Sequence, residues 1–90
     1  MPLFALICTD KADHEPLRKA TRDAHLAYLD ASGVVRMAGP FLSDGTMTGS
    51  LVVIEVAGKA AAEDWAAHDP YALAGLFAKV RIEEWKKVIG

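Results

Sequence analysis

At 90 residues the chain has room for one domain, residues 1–90, because single cores commonly occupy about 100–150 residues. Its formal net charge of −2 comes from interspersed acids and bases, which leaves no basic footprint for nucleic acid. Apolar residues make up 52% of the composition, more than one thin core needs, yet no run approaches the roughly 18 residues of a membrane span.

The N-terminus shows no basic leader followed by an apolar core, so no secretion signal is read there. Cys8 is the single cysteine, which excludes an internal disulfide and fits a reducing compartment, with the cytoplasm as the expected location. Leu3–Thr9 (LFALICT) reads as a strand that is apolar on both faces. Leu3, Ala5 and Ile7 point one way, and Phe4, Leu6 and Cys8 the other. Such a strand belongs at the centre of a sheet covered twice, with Cys8 a small buried hydrophobe.

Asp10-Lys11-Ala12-Asp13 breaks the pattern, with Asp13 the expected N-cap and Pro16 in the first helical turn. From His14 to about Ser32, Leu17, Ala20, Ala24, Tyr28 and Ala31 recur at helical steps and predict one apolar stripe. Arg18, Arg22 and His25 then form a cationic edge beside it. Gly33 is the expected left-handed terminator.

Val34–Val56 carries two apolar arms around Asp44-Gly45, a strong hairpin signal. A two-residue loop there pairs Ser43 with Thr46, Phe41 with Thr48 and Met37 with Val52. Gly39-Pro40 makes the first arm a sheet edge or a bulged strand, since proline cannot donate to a ladder. Thr48–Val56 has no such break and reads as an interior strand. Lys59–His68 is helical, with Ala61 and Trp65 facing inward and Ala62 a further candidate. Asp69-Pro70 stops it, Tyr71–Gly75 suits one more helical turn, and Phe77–Ile89 reads as a final, partly exposed strand. On that strand Val80, Ile82 and Val88 share one face, and Phe77 and Trp85 the other.

The order strand, helix, strand, strand, helix, strand is the split βαβ plan: an α+β, ferredoxin-like fold with both helices on one face of an antiparallel sheet. Two helices cover only one face, and the central strands are apolar on both. A second copy packed sheet against sheet is the simplest cover, which predicts a homodimer.

His25 borders the predicted stripe, and an imidazole suits acid–base work at neutral pH. The residues alone favour a partly buried histidine bonded to a backbone carbonyl over a proton-transfer group. Asp69 is its natural orienting partner, but an Asp-Pro pair is also an ordinary cap for a short helix. The two roles are compatible if one carboxylate oxygen caps and the other faces the histidine. Arg18 and Arg22 suit a bidentate grip on a substrate carboxylate or phenolate, with a solvated, paired flank the blander reading, more so for Arg22. The three histidines lack metal-ligand spacing, so no metal is expected. Thr48 and Ser50 have no base at motif spacing, and Gly45–Gly49 enters a strand where a phosphate loop would enter a helix. Trp65 and Trp85 suit core and interface packing better than ligand cages.

His25, the Gly33 to Gly39-Pro40 run, Asp44-Gly45, Gly49-Ser50, Asp69-Pro70-Tyr71 and Trp85 together resemble the YciI-like (YCII-related) family. The resemblance spans nearly the whole chain and is most specific at Ala38-Gly39-Pro40 and Asp69-Pro70-Tyr71. It implies a ferredoxin-like fold dimerising into an α+β barrel, a pocket between helix and sheet, and a His25–Asp69 active-site dyad. His68, adjacent to Asp69, is a second imidazole there, with His25 preferred because chain neighbours point apart. One relative eliminates chloride from a chlorinated hydroxyhydroquinone, and the similar muconolactone isomerases shift a proton in a lactone. The leading expectation is therefore a cofactor-free lyase or isomerase acting on a small anionic cyclic or aromatic molecule. His25 moves the proton, Asp69 orients it, Arg18 holds the anion, and Gly39, Pro40 and Ser50 form a floor of small residues. The alternatives are a non-catalytic small-molecule binding or regulatory module, and a purely structural dimerisation partner whose barrel is filled by side chains.

Overall fold

The computed structural model describes residues 1–90 and contains four strands and three helices. Strand β1 is Leu3–Asp10, helix α1 Glu15–Ser32, strand β2 Val35–Ser43 and strand β3 Thr46–Glu55. Helix α2 follows at Lys59–Ala67, the single turn α3 at Pro70–Leu73 and strand β4 at Phe77–Trp85. The sheet order is β2-β3-β1-β4 with every neighbouring pair antiparallel, the arrangement expected of a ferredoxin-like α+β fold.

Alternation along β1 and β3 sorts the two faces. Phe4, Leu6 and Cys8 pair with Ile54, Val52 and Ser50, and their side chains lie under the helices. With Leu29 of α1 and Ala62 and Trp65 of α2 they make the core. Leu3, Ala5, Ile7, Leu51 and Val53 point to the opposite face, which no helix covers. Met37, Phe41 and Trp85 flank that open face with 47%, 40% and 39% of their surface exposed. Part of the apolar surplus noted in the composition therefore sits on the open side of the sheet.

The hairpin closes as the sequence implies. Asp44 and Gly45 both take positive φ, 49° and 78°, which matches a two-residue turn to the strand twist, and Ser43 faces Thr46. Further along, the expected pairs are displaced. Phe41 meets Gly49 in place of Thr48, and Met37 meets Val53 in place of Val52. Leu42 pairs with Met47 and Phe41 with Gly49, so Thr48 is an extra residue that bulges β3 and shifts the register by one. Pro40 lies on the edge strand β2, as its missing donor requires. Gly49 is demanded by packing: a Cβ there would collide with the Cys8 carbonyl oxygen of β1.

Three helical expectations are corrected. Asp13 is not the N-cap of α1; it adopts a left-handed turn (φ 59°), and His14 occupies the cap position, its carbonyl accepting the Arg18 N–H at 3.1 Å. The buried face of α1 is Arg18, His25 and Leu29, whereas Ala20, Ala24 and Ala31 are exposed. The helix is turned because the groups beneath its first half, Asp10, Ser50 and Asp69, are buried or nearly so and polar, and such groups need hydrogen-bonding partners from above. In α2 the inward residues are Ala62 and Trp65, and Ala61 is exposed.

Strand β4 ends at Trp85, so Val88 lies beyond it and is exposed. A register shift between Thr9 and Asp10 places Phe77 opposite Asp10, which turns Phe77 onto the helix-covered side, away from the face of Trp85. There its ring meets Tyr71 edge-on, with centroids 5.9 Å apart.

Candidate functional site

Helix α1 projects Arg18, Arg22 and His25 toward the sheet at successive steps of four and three residues. Beneath them the sheet offers Ala38 paired with Val52 and Pro40 paired with Ser50. None of the four has a bulky side chain, and a cavity of about 250 Å³ remains between α1, α3 and the β2–β3 hairpin. Its walls include Arg18, Arg22, His25, Leu26, Met47 and Tyr71. Gly39 contributes backbone only. Its partner Leu51 faces the open side of the sheet, and a Cβ at Gly39 would meet nothing within 4 Å, so the room comes from Ala38, Pro40 and Ser50.

Asp69 and His25 are 44 residues apart in sequence and meet in the interior. His25 Nδ1 lies 2.7 Å from Asp69 Oδ1, with both side chains under a tenth exposed. The same Oδ1 accepts the Tyr71 N–H at 2.9 Å, so one oxygen both caps α3 and binds the imidazole; the division between two oxygens expected from the sequence does not occur. An ionised carboxylate can only accept, which assigns the proton of a neutral His25 to Nδ1 and leaves the lone pair on Nε2. Nε2 has no partner within the chain and is not sealed from the cavity. The Tyr71 ring stacks against the imidazole, with centroids 3.9 Å apart and planes within 15°, and so fixes its tilt.

Arg18 is more deeply committed than the sequence suggests. Its Nε and Nη2 donate to Asp10 Oδ2 and Oδ1 at 2.7 and 3.0 Å, and Nη2 also donates to Ser50 Oγ at 2.8 Å. Its guanidinium carbon sits 4.7 Å from the Tyr71 ring centre. Burial works against the charge, but the bonds and attraction to Asp10, followed by Tyr71, outweigh it and raise the Arg18 pKa above its ordinary value. The bidentate clasp expected for a substrate is thus made to Asp10. Arg22 lines the cavity and forms no ion pair or hydrogen bond within the chain.

Two further groups are held neutral. Burial, reinforced by Asp69 and Asp10, pushes the Cys8 thiol up to about 12, which makes it a poor nucleophile. Burial also raises the Tyr71 phenol, against the pull of Arg18 and Arg22. His68 is exposed and bonds the Asp64 carbonyl at 2.8 Å, so the carboxylate of Asp69 orients His25 and not its chain neighbour. No group of three or more His, Cys, Asp or Glu side chains is arranged to hold a metal ion. Sequence reasoning missed Asp10 as the partner of Arg18 and Tyr71 as a wall of the site. Asp10 looked like a strand breaker, and the side-chain direction of Tyr71 depends on α3 packing against α1.

The fold and the site define a class: small α+β proteins in which a helix and a sheet edge enclose a cavity bordered by a buried histidine–aspartate pair. Residues 2–86 match the YCII-related domain, and the chain belongs to that family. The protein YciI of Escherichia coli is 35% identical over 96 residues, covering 96% of this chain and 98% of its own. An uncharacterised protein of Haemophilus influenzae is 40% identical over 81 residues, covering 79% of this chain and 83% of its own. Among solved structures, the 5-chloro-2-hydroxyhydroquinone dehydrochlorinase of Burkholderia phenoliruptrix, in complex with 2,5-dihydroxybenzoquinone, superposes with a TM-score of 0.87. It is 33% identical, and the match covers 93% of each chain.

Proposed function

We propose that this protein is a cofactor-free lyase or isomerase that uses the His25–Asp69 dyad on a small anionic cyclic or aromatic molecule. One observation carries the reading: His25 Nδ1 is held by a buried carboxylate while Nε2 faces a cavity of about 250 Å³. That volume is slightly below the usual range for drug-sized ligands and suits a single substituted ring. Support also comes from the dehydrochlorinase, whose name describes loss of hydrogen chloride from such a ring.

In the elimination, Nε2 accepts a proton from a saturated C–H of the ring's keto or lactone form, the C–H electron pair forms a new double bond, and chloride leaves the neighbouring carbon with the C–Cl pair. In the isomerisation, the same Nε2 proton returns to a different carbon of the delocalised anion. Either way the imidazolium formed at His25 lies against Asp69, which stabilises it and holds the ring in place. Ser50 and Pro40 shape the floor, Gly39 adds backbone, and Arg18 fixes Ser50 and the Tyr71 ring. The protein acts as a homodimer in which a second copy covers the open face of the sheet.

The test is a panel of chlorinated hydroxyhydroquinones and unsaturated lactones, followed by chloride release and by proton NMR. Wild-type protein is expected to convert at least one member, and His25→Gln to lose about 10²–10⁴-fold of that rate. Saturable binding with no conversion of any member would make the protein a binding module instead. Full turnover by His25→Gln would remove the dyad from the chemistry.

A further inference from the structure

The charges around the cavity pair off with one remainder. Asp10 is taken by Arg18 through two hydrogen bonds, and Asp69 by His25. Arg22 is left. Its neighbours three and four positions away on α1 are Lys19, His25, Arg18 and Leu26, none of them acidic, so the helix supplies no counter-ion at the spacings where side chains meet. Arg22 is exposed at its own position yet lines the cavity beside His25 and Tyr71. Its charge reaches inward, since together with Arg18 it draws the buried Tyr71 phenol toward ionisation. A guanidinium at the mouth of a half-apolar cavity, with five donors and no partner, is a preorganised receptor for a carboxylate or phenolate oxygen.

We infer that Arg22, rather than Arg18, is the residue that reads the negative charge of the ligand. The ligand class is therefore a one-ring acid whose anionic oxygen sits at the cavity mouth while the far edge of its ring lies inward, beside His25. Arg18 also borders the cavity, but its charge is already met by Asp10 through Nε and Nη2, and it holds Ser50 and the Tyr71 ring in place. The inference rests on the cavity being a small-molecule site, but not on that site being catalytic.

The experiment uses two one-ring probes of nearly equal shape, 4-hydroxybenzoate and 4-hydroxybenzamide, titrated into the 90-residue protein at neutral pH and low ionic strength with NMR detection. Wild-type protein is expected to prefer the carboxylate about tenfold, the worth of one charge-assisted contact near the surface. Arg22→Gln should reduce that preference to within about twofold while leaving the affinity for the amide unchanged, and Arg22→Lys should keep part of it. His25→Gln separates this inference from the catalytic proposal. Loss of turnover with the carboxylate preference retained supports both, and retained turnover defeats the dyad while leaving Arg22 in its role. A preference that survives Arg22→Gln overturns the inference, as does a wild-type protein that binds neither probe at millimolar concentration.

Discussion

Asp69 Oδ1 serves two acceptor roles at once, and substitutions at this residue separate them. Alanine removes the cap on Tyr71 N–H, worth about 1 kcal/mol, and the buried charge-assisted bond to His25, worth about 1.5–3 kcal/mol. Asp69→Ala should therefore cost about 2.5–4 kcal/mol, a large share of the 5–15 kcal/mol typical of a whole domain. At about 4–8 °C per kcal/mol for a domain of this size, the melting temperature should fall by roughly 10–30 °C. Asparagine caps helices as well as aspartate does, so Asp69→Asn keeps the turn of α3 and loses only the charge behind the imidazole. Its cost should stay below about 2 kcal/mol, while turnover should fall as if His25 itself were impaired. Urea unfolding at one fixed protein concentration measures the stabilities, and nitrogen-detected NMR of the imidazole reports whether the proton remains on Nδ1. Equal destabilisation by alanine and asparagine would refute the shared-oxygen account, because the cap would then contribute nothing.

Two other outcomes follow from burial. The Cys8 thiol is raised from 9.0 to about 12 on folding, so its contribution is complete below pH 9 and is lost as pH climbs from 9 toward 12. At about 1.4 kcal/mol per pH unit, wild-type protein should lose about 2 kcal/mol more than Cys8→Ala between pH 8 and pH 10.5, measured by urea unfolding; parallel pH curves would contradict this. Leu51 points to the open face of the sheet and is only partly covered by its neighbours, so Leu51→Lys leaves the fold intact and places a charge at the centre of the proposed dimer interface. Size-exclusion chromatography should show the variant as a monomer and wild-type protein as a dimer, and wild-type elution as a monomer would refute the assembly.

The order of elements along the chain, the hairpin turn and the sidedness of β1 and β3 were all legible because each rests on local rules. Period-two alternation, the Asp44-Gly45 turn and the Gly33 terminator need no knowledge of distant residues. The pairing of His25 with Asp69 was also within reach, because a carboxylate is the natural orienting partner of an imidazole and the family resemblance points to the same two positions. What escaped prediction lies where local and tertiary demands conflict. Helix α1 offers an alanine stripe to the core, but Asp10, Ser50 and Asp69 need partners, and so the polar edge carrying Arg18 and His25 turns inward. Hydrophobic periodicity cannot register a buried face that is polar because the groups beneath it are polar. The bulge at Thr48 escaped for a similar reason. The one-residue shift between the Leu42–Met47 and Phe41–Gly49 pairs depends on how β2 lies along β3, which the turn dipeptide does not encode.

The central claim is that His25 Nε2 exchanges protons with a ring bound in the cavity. It is tested most directly with 2,5-dihydroxybenzoquinone, the ligand held by the structurally similar dehydrochlorinase. In heavy water, proton NMR follows replacement of the ring hydrogens by deuterium with no need for a complete catalytic cycle. The wild-type protein should accelerate that exchange over buffer, and His25→Gln should lose at least about a hundredfold of the acceleration while remaining folded. Exchange that proceeds as fast in His25→Gln as in the wild type would contradict the account.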